Sequence, residues 1–376
     1  MVIFLLLLLL LPIFLLVGWS FWVVAKVFQA WAQAEKENVH EDIEIGCSFS
    51  PEEMEMKIGS GQKSLDALKI IVEKFGIQEI RLGMRWGSDF EYYKPFLDYC
   101  FNSDVNLCLN IGPIKVFRWP EEHVPKNVLE KLSKIPEKEA QIEKDMEIAQ
   151  EAYSHLDELL EYLQKNYSKR NLDKIRTIQI ENECFNPFGQ FKWTFGQAYL
   201  IGLMKKINRI LPNAGFMLSS SACKDTKKIS SVFKEFQKQN PKFTNDLAFG
   251  INYYYKTPFN QKWPLINKLD NIVQSNLFLN LCAWTRKEAK KQNYRIEISE
   301  AQAEGWGPNI QGPGKLSKEF QFMLIRCTKE ILNLQDDEKS IIRIWGIENF
   351  AKDYLNGTLD KEQEQILRTV KTINNQ

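Results

Sequence analysis

Glu181, Asn182 and Glu183 lie together in the stretch IQIENECFNPFG (178–189), where an apolar, β-branched run stops on two carboxylates and an amide. A further acid, Glu300, follows directly on the run YRIEIS (294–299) and belongs to ISEAQAEGWG, which also supplies Gln302, Glu304 and Trp306. Two carboxylates brought together from separate strands can divide the work at an acetal carbon. One stays protonated to assist the leaving oxygen, while the other stays ionised to attack or stabilise the anomeric carbon. Splitting their pKa values takes unlike surroundings. An arginine and a tyrosine beside one carboxylate hold it ionised, and partial burial of the other holds it protonated. A carboxyl separation of roughly 5 to 5.5 Å implies retention of configuration, and a wider gap implies inversion.

Positioning these groups falls to strands and helices in strict alternation after a polar linker near 33–42. The strands are predicted at IEIGCSF (43–49), IRLGM (80–84), VNLCLNIG (105–112), IRTIQIE (175–181), FMLSSS (216–221), LAFGINY (247–253), YRIEIS (294–299) and IIRIWG (341–346). Helices are predicted at 64–75, 137–165, 194–211, 229–239, 318–334 and 361–373. Eight strand-helix repeats over about 330 residues match the size and order of a (β/α)8 TIM barrel. A doubly wound sheet is the competing topology, but no Gly-rich phosphate loop follows any strand. In a barrel the chemistry sits at the carboxyl ends of the strands. There the sequence places Glu181, Asn182 and Glu183 after strand four, Asn252, Tyr253 and Tyr254 at strand six, Glu300 after strand seven, Trp345 in strand eight, and Arg81 and Arg85 at strand two.

These residues resemble the retaining β-glycosidases of glycoside hydrolase clan A, which are (β/α)8 barrels with Asn-Glu after strand four and Glu after strand seven. The resemblance covers the barrel, from Ile43 to Ile373, through short motifs. It implies that Glu183 is the general acid/base, Glu300 the nucleophile, and Asn182 the partner of the sugar 2-hydroxyl. IRLGMRW is similar to the strand-two arginine motif of the cellulase-like members, which places Arg81 beside the nucleophile. Tyr254, or Tyr253, corresponds to the strand-six tyrosine, and Trp345 to the tryptophan that floors the sugar subsite. Asn110 and Asn252 stand where those families commonly carry histidine, which points to a divergent branch; Asn252, two residues before Tyr254, is expected to contact the substrate.

Each assignment has a plainer alternative. Glu183 would otherwise be a surface or helix-capping acid, and Arg81 a structural arginine paired with an interior Glu. Glu181 shares a strand face with Glu183; it is either the acid itself or a buried partner of an arginine. Glu297 and Glu304 are decoys for Glu300. Trp345 would otherwise be core. The loop GPIKVFRWPEEHVP (112–125) adds Lys115, Arg118 and Trp119, which would shape a specificity wall, with Trp306 as a further substrate contact. Trp193 and Trp284 are expected to be packing.

Composition narrows the classes. Lys plus Arg number 49 and Asp plus Glu 48, so no electrostatic footprint for nucleic acid exists. The seven cysteines form no CxxC pair and the three histidines lie far apart, which argues against a zinc ribbon, a thioredoxin motif or a Ser-His-Asp hydrolase. No metal and no organic cofactor is expected.

Residues 1–25 carry no charge and are long enough to cross a bilayer, for which about 20 apolar residues suffice. The organisation expected is therefore a transmembrane anchor (1–26), a linker (27–42) and a catalytic barrel (43–376), monomeric and held outside the cytoplasm. A cleaved signal peptide, with AWAQA (30–34) offering small residues, is the alternative and would give a secreted protein. The expected activity is hydrolysis of a β-linked oligo- or polysaccharide. The alternatives are transglycosylation by the same residues, and a non-catalytic carbohydrate-binding or cell-envelope barrel.

Overall fold

The computed structural model describes residues 43–116, 124–135, 141–187, 192–221, 224–254, 284–302 and 340–375. Eight strands form a closed, all-parallel barrel: β1 (Ile43–Phe49), β2 (Glu79–Gly83), β3 (Asn106–Asn110), β4 (Ile175–Gln179), β5 (Gly215–Ser221), β6 (Leu247–Tyr254), β7 (Arg295–Gln302) and β8 (Ser340–Ile344). Each pairs with its neighbour in chain order, and β1 pairs with β8 to close the ring. All eight predicted strands are present, with ends shifted by a few residues. The largest shift is at β7, which runs on to Gln302 and carries Glu300 within the strand.

The closure is locked from outside by Asn374, near the end of the helix Lys361–Asn374. Its side chain accepts from Ile45 N at 2.8 Å and donates to the carbonyls of Ile45 and Gly76 at 2.9 and 2.8 Å.

Alternation along the strands sorts the residues into two layers. Ile43, Ile45, Cys47 and Phe49 of β1, Ile80 and Leu82 of β2, and Ile342 and Ile344 of β8 join one continuous apolar cluster with the surrounding helices. The residues between them point into the barrel, and most are polar. There Arg343 of β8 donates through Nε and Nη2 to Glu79 Oε1 at 3.2 and 2.6 Å, and through Nη1 to Glu297 Oε2 at 2.7 Å. All three side chains are buried. Burial pushes the Glu79 carboxyl up, against the pull of Arg343. Burial also pushes Glu297 up, but Arg343 together with Arg295 outweighs it and holds that carboxyl below its ordinary range. Cys108, Met217 and Ala248 form a small apolar cluster of their own, apart from the main core. A buried parallel strand ordinarily reads as a continuous apolar run. Here the polar alternation reflects a barrel filled with ion pairs.

The predicted helices need correction at several points. The stretch read as one helix over 137–165 holds a short strand, Gln141–Ile142, and the helix begins at Glu147. Thr194–Phe195 pairs with that strand in parallel, so the next helix starts at Gln197. Ile142 and Phe195 are buried by this pairing, which a helical pattern alone does not reveal. Five helices among those with both ends described were not anticipated: Pro51–Ile58, Phe90–Asn102, Lys126–Leu132, Lys169–Leu172 and Ile347–Leu355. The first carries its signals openly. Ser50 Oγ accepts from Glu53 N, proline opens the first turn, and Gly59 ends it at φ 96°, a left-handed position that favours glycine. Phe90–Asn102 is masked in the sequence by its aromatic residues and by Pro95 inside it. The helix predicted at 318–334 lies outside the described residues.

The same is true of the anchor (1–26) and linker (27–42). Among the described residues, no helix is long and apolar enough to cross a membrane. Cys47, Cys100, Cys108 and Cys184 are buried free thiols, in keeping with small core residues.

Candidate active site

Residues of β1, β4 and β7 meet around one guanidinium, that of Arg81 in β2. Arg81, fully buried, donates through Nη1 to Glu300 Oε1 at 2.8 Å, to Ser48 Oγ at 2.9 Å and to the Ser299 carbonyl at 3.3 Å. Its Nε donates to Gln179 Oε1 at 2.5 Å and its Nη2 to Asn182 Oδ1 at 3.2 Å. Burial lowers the Arg81 pKa and the Glu300 carboxylate opposes that; the guanidinium stays cationic. A charge-assisted bond of this kind favours an ionised Glu300. Of the two readings of Arg81, the geometry fits the partner of Glu300. The structural arginine paired with interior acids is Arg343 instead.

Asn182 Oδ1 also accepts from Gln179 Nε2 at 3.0 Å and from Ser219 Oγ at 3.1 Å. Three donors converging on one atom fix it as the amide oxygen and fix the orientation of the side chain. Its Nδ2 has no partner among the described residues and is the atom left to donate outward. Ser219 is the hub beneath: its hydroxyl serves Asn182 and accepts from Gln179 Nε2 at 2.9 Å and from Glu183 N at 2.8 Å.

Both oxygens of Glu183 are engaged by amides. Asn252 Nδ2 donates to Oε1 at 2.9 Å and Asn186 Nδ2 to Oε2 at 2.7 Å. Asn252 in turn accepts from Ser299 Oγ at 2.6 Å, so one amide links Glu183 to β7. A register shift between β6 and β7 makes this possible. Ile251 pairs with Ile298 but Asn252 with Glu300, leaving Ser299 as an extra residue. Such a bulge re-aims a side chain near a site. It lets Ser299 reach Asn252 while Glu300 reaches Arg81.

Exposure separates contact groups from supports. Glu183, Glu300 and Asn182 keep 6%, 4% and 4% of their surface open, whereas Arg81, Gln179, Ser219, Asn252 and Ser299 keep none. Asn252, expected to touch substrate, has no exposed surface, and its amide is turned to Glu183. Asn110 is fully buried too, and neither atom of its amide has a partner among the described residues.

Glu181 departs from both of its readings. It is fully buried, unlike Glu183 and Glu300, and its partners among the described residues include no arginine. Oε1 accepts from Tyr199 OH at 2.8 Å and from Ile114 N at 3.3 Å, and Oε2 accepts from Lys115 N at 2.5 Å. Lys115 does not line a wall: it is fully buried, donates from Nζ to the Asn186 carbonyl at 2.8 Å, and lies over the Phe195 ring. Trp345 is half-buried just past β8, with its backbone N–H donating to the Ala301 carbonyl at 3.0 Å. Trp193 is fully buried packing, as expected, and Trp284 is partly exposed. Tyr253 and Tyr254 end β6, their side chains outside the described residues, and Trp119, Trp306, Arg118 and Glu304 lie outside them altogether.

At 13% identity, a GH10 endoxylanase retrieved from a sugarcane soil metagenome superposes with a TM-score of 0.53, over 87% of this chain and 97% of its own. What the two share is the fold. A GH53 catalytic domain from Ignisphaera aggregans superposes at 0.47 with 14% identity, over 82% of this chain and 86% of its own. No protein-family model and no curated protein matches the sequence. The barrel that the resemblance implied is thus borne out as a fold.

The supports Gln179, Ser219, Ser48, Ser299 and Asn186 were not among the predicted site residues. Their signal is present in the sequence. Each of the first four is a polar residue at the core end of a strand, and Gln179 shares the inward face with Thr177.

Burial pushes the Glu181 carboxyl up from 4.5 to about 7, against the opposing pull of its three donors. A carboxyl raised in the folded state adds stability below its unfolded pKa, and that stability is lost as pH rises through the folded value. The change amounts to roughly 3 kcal/mol between pH 4.5 and 7. Urea unfolding across that range is expected to show a downward slope that is missing in Glu181→Gln; equal slopes would mean that Glu181 ionises normally.

Proposed function

We propose that this protein is a retaining β-glycoside hydrolase of clan A type, tethered by residues 1–26 with its barrel outside the cytoplasm, acting on a β-linked oligo- or polysaccharide. The observation that carries the reading is the Arg81 guanidinium, which binds Glu300 of β7 and Asn182 after β4 at once. It draws three positions of the clan motif into one hydrogen-bonded array, and Asn252 ties Glu183 to the same array.

In this reading the ionised Glu300 attacks the anomeric carbon. The glycosidic C–O bond breaks as Glu183 gives its proton to the departing oxygen, leaving a glycosyl ester on Glu300. Glu183 then takes a proton from water, whose oxygen attacks the same carbon and releases Glu300. Asn182 Nδ2 donates to the sugar 2-hydroxyl, a bond that strengthens in the transition state. Trp345 offers an aromatic face to the sugar ring. The endoxylanase that shares the fold supports a polysaccharide substrate.

Intact-mass analysis after incubation with activated 2-deoxy-2-fluoro β-glycosides (xylosyl, glucosyl, galactosyl and mannosyl) tests the reading. The expected result is a gain of one sugar, mapped to Glu300 in the peptide digest. A gain mapped elsewhere would displace Glu300 as nucleophile. No gain with any probe, together with retained binding to glycan arrays, would favour a carbohydrate-binding barrel.

A further inference from the structure

The segment that carries Glu183 is held in a conformation it would not choose by itself. Glu181 and Glu183 both have positive φ, 51° and 47°. A non-glycine residue there is strained and persists only where its surroundings over-determine it. Those surroundings converge on Glu181. Its carboxylate takes the backbone N–H groups of Ile114 and Lys115 and the hydroxyl of Tyr199. Asn182 N donates back to the Lys115 carbonyl at 2.8 Å. Gly112 packs so closely that a Cβ there would lie 2.4 Å from Glu181 Cα, which only glycine permits.

From this clasp a chain of contacts leads to Glu183. Lys115 Nζ donates to the Asn186 carbonyl, Asn186 N donates to the Glu183 carbonyl at 2.9 Å, and Asn186 Nδ2 donates to Glu183 Oε2. Tyr199 roots the clasp in the helix Gln197–Ile210, where its ring stacks on Phe195 and Tyr153 at centroid distances of 5.2 and 5.5 Å.

We propose, resting on the reading of Glu183 as acid/base, that Glu181 is a positioning residue. Its buried carboxylate fastens the loop after β3 and the Tyr199 hydroxyl to the strained turn after β4, and so sets the aim of the Glu183 carboxyl. Its neighbours fit that task. Among the described residues, the only cation its carboxylate faces from the β3 loop is Lys115; from the helix side it faces Tyr199, and within its own segment Cys184.

The role predicts which step fails. Departure of a poor leaving group needs the proton from Glu183, whereas departure of a dinitrophenolate needs little help. Loss of aim therefore falls on the first and spares the second; loss of folded protein falls on both alike.

The experiment compares kcat/KM for phenyl and 2,4-dinitrophenyl β-glycosides, using the sugar that the wild-type full-length protein turns over. Glu181→Gln places an amide against two backbone N–H donors, and Tyr199→Phe removes a single donor with little change in packing. The expected result for both is a loss at least about ten-fold greater on the phenyl than on the dinitrophenyl substrate, as for Glu183→Ala. If Glu181→Gln does not fold, Tyr199→Phe decides. Equal losses on the two substrates, or none, would overturn the positioning role. A wild-type protein inactive on every aryl glycoside would instead overturn the acid/base reading, and this inference with it.

Discussion

Glu300→Gln is expected to lower turnover on the order of 10^4- to 10^6-fold and to abolish labelling by fluoro-glycosides. The side chain keeps its shape, and its remaining oxygen still meets Arg81 Nη1, but the amide does not form the glycosyl ester. The substitution has a second effect. Arg81 is fully buried and pairs with Glu300 at 2.8 Å, so neutralising Glu300 takes the anion of this pair away from a buried cation, a loss of about 3–5 kcal/mol. Lower thermal stability should therefore accompany lower activity, and both should be measured on the same sample. Full turnover by a stable Glu300→Gln protein would show that the array around Arg81 serves another chemistry.

Arg343→Met is the substitution expected to harm the fold most. It takes the arginine from Glu79 and leaves Glu297, which Arg343 and Arg295 together hold below its ordinary range, with Arg295 in place of two cations. Removing one partner of a buried ion pair costs about 3–5 kcal/mol, a large part of a typical total of roughly 5–15 kcal/mol. Urea unfolding should show a midpoint far below wild type, or no folded baseline. Neutralising the acids as well, in E79Q, E297Q and R343M combined, should recover much of the loss, because the penalty arises from stranded charge rather than missing attraction. If the single and triple substitutions were equally unstable, packing around the Arg343 stem would be the cause.

The barrel was legible because all eight strands alternate or run apolar over short, separate stretches, and because the order of elements repeats. The acids Glu183 and Glu300 were legible because they end such runs. What escaped depends on partners distant in sequence. Arg343 looks like any charge in IIRIWG until the closed ring brings Glu79 and Glu297 around it. Glu181 was expected to meet an arginine, since a buried carboxylate ordinarily needs a cation; backbone N–H groups from a neighbouring loop and one hydroxyl serve instead. The bulge at Ser299 has no local sequence signal. It made a strand that continues to Gln302 read as one that ends at Ser299. Asn252, read as a sugar contact from its place near the strand-six tyrosine, is enclosed by Ser299 and Glu183.

The seam between β1 and β8, with Asn374 clasped onto Ile45 and Gly76, bears on how the chain acquires its structure. Residue 43 meets residue 340, and residue 45 meets residue 374. Loop-closure entropy for such separations must be overcome before any of these contacts is gained, and non-local parallel pairing is slow. On a ribosome, the first strand has no partner on its open edge until the last strand emerges. Through most of synthesis the nascent chain thus offers an unpaired β edge and a half-built core, the exposure that favours chaperone capture. Commitment to the native state comes only once the C-terminal helix is free to dock.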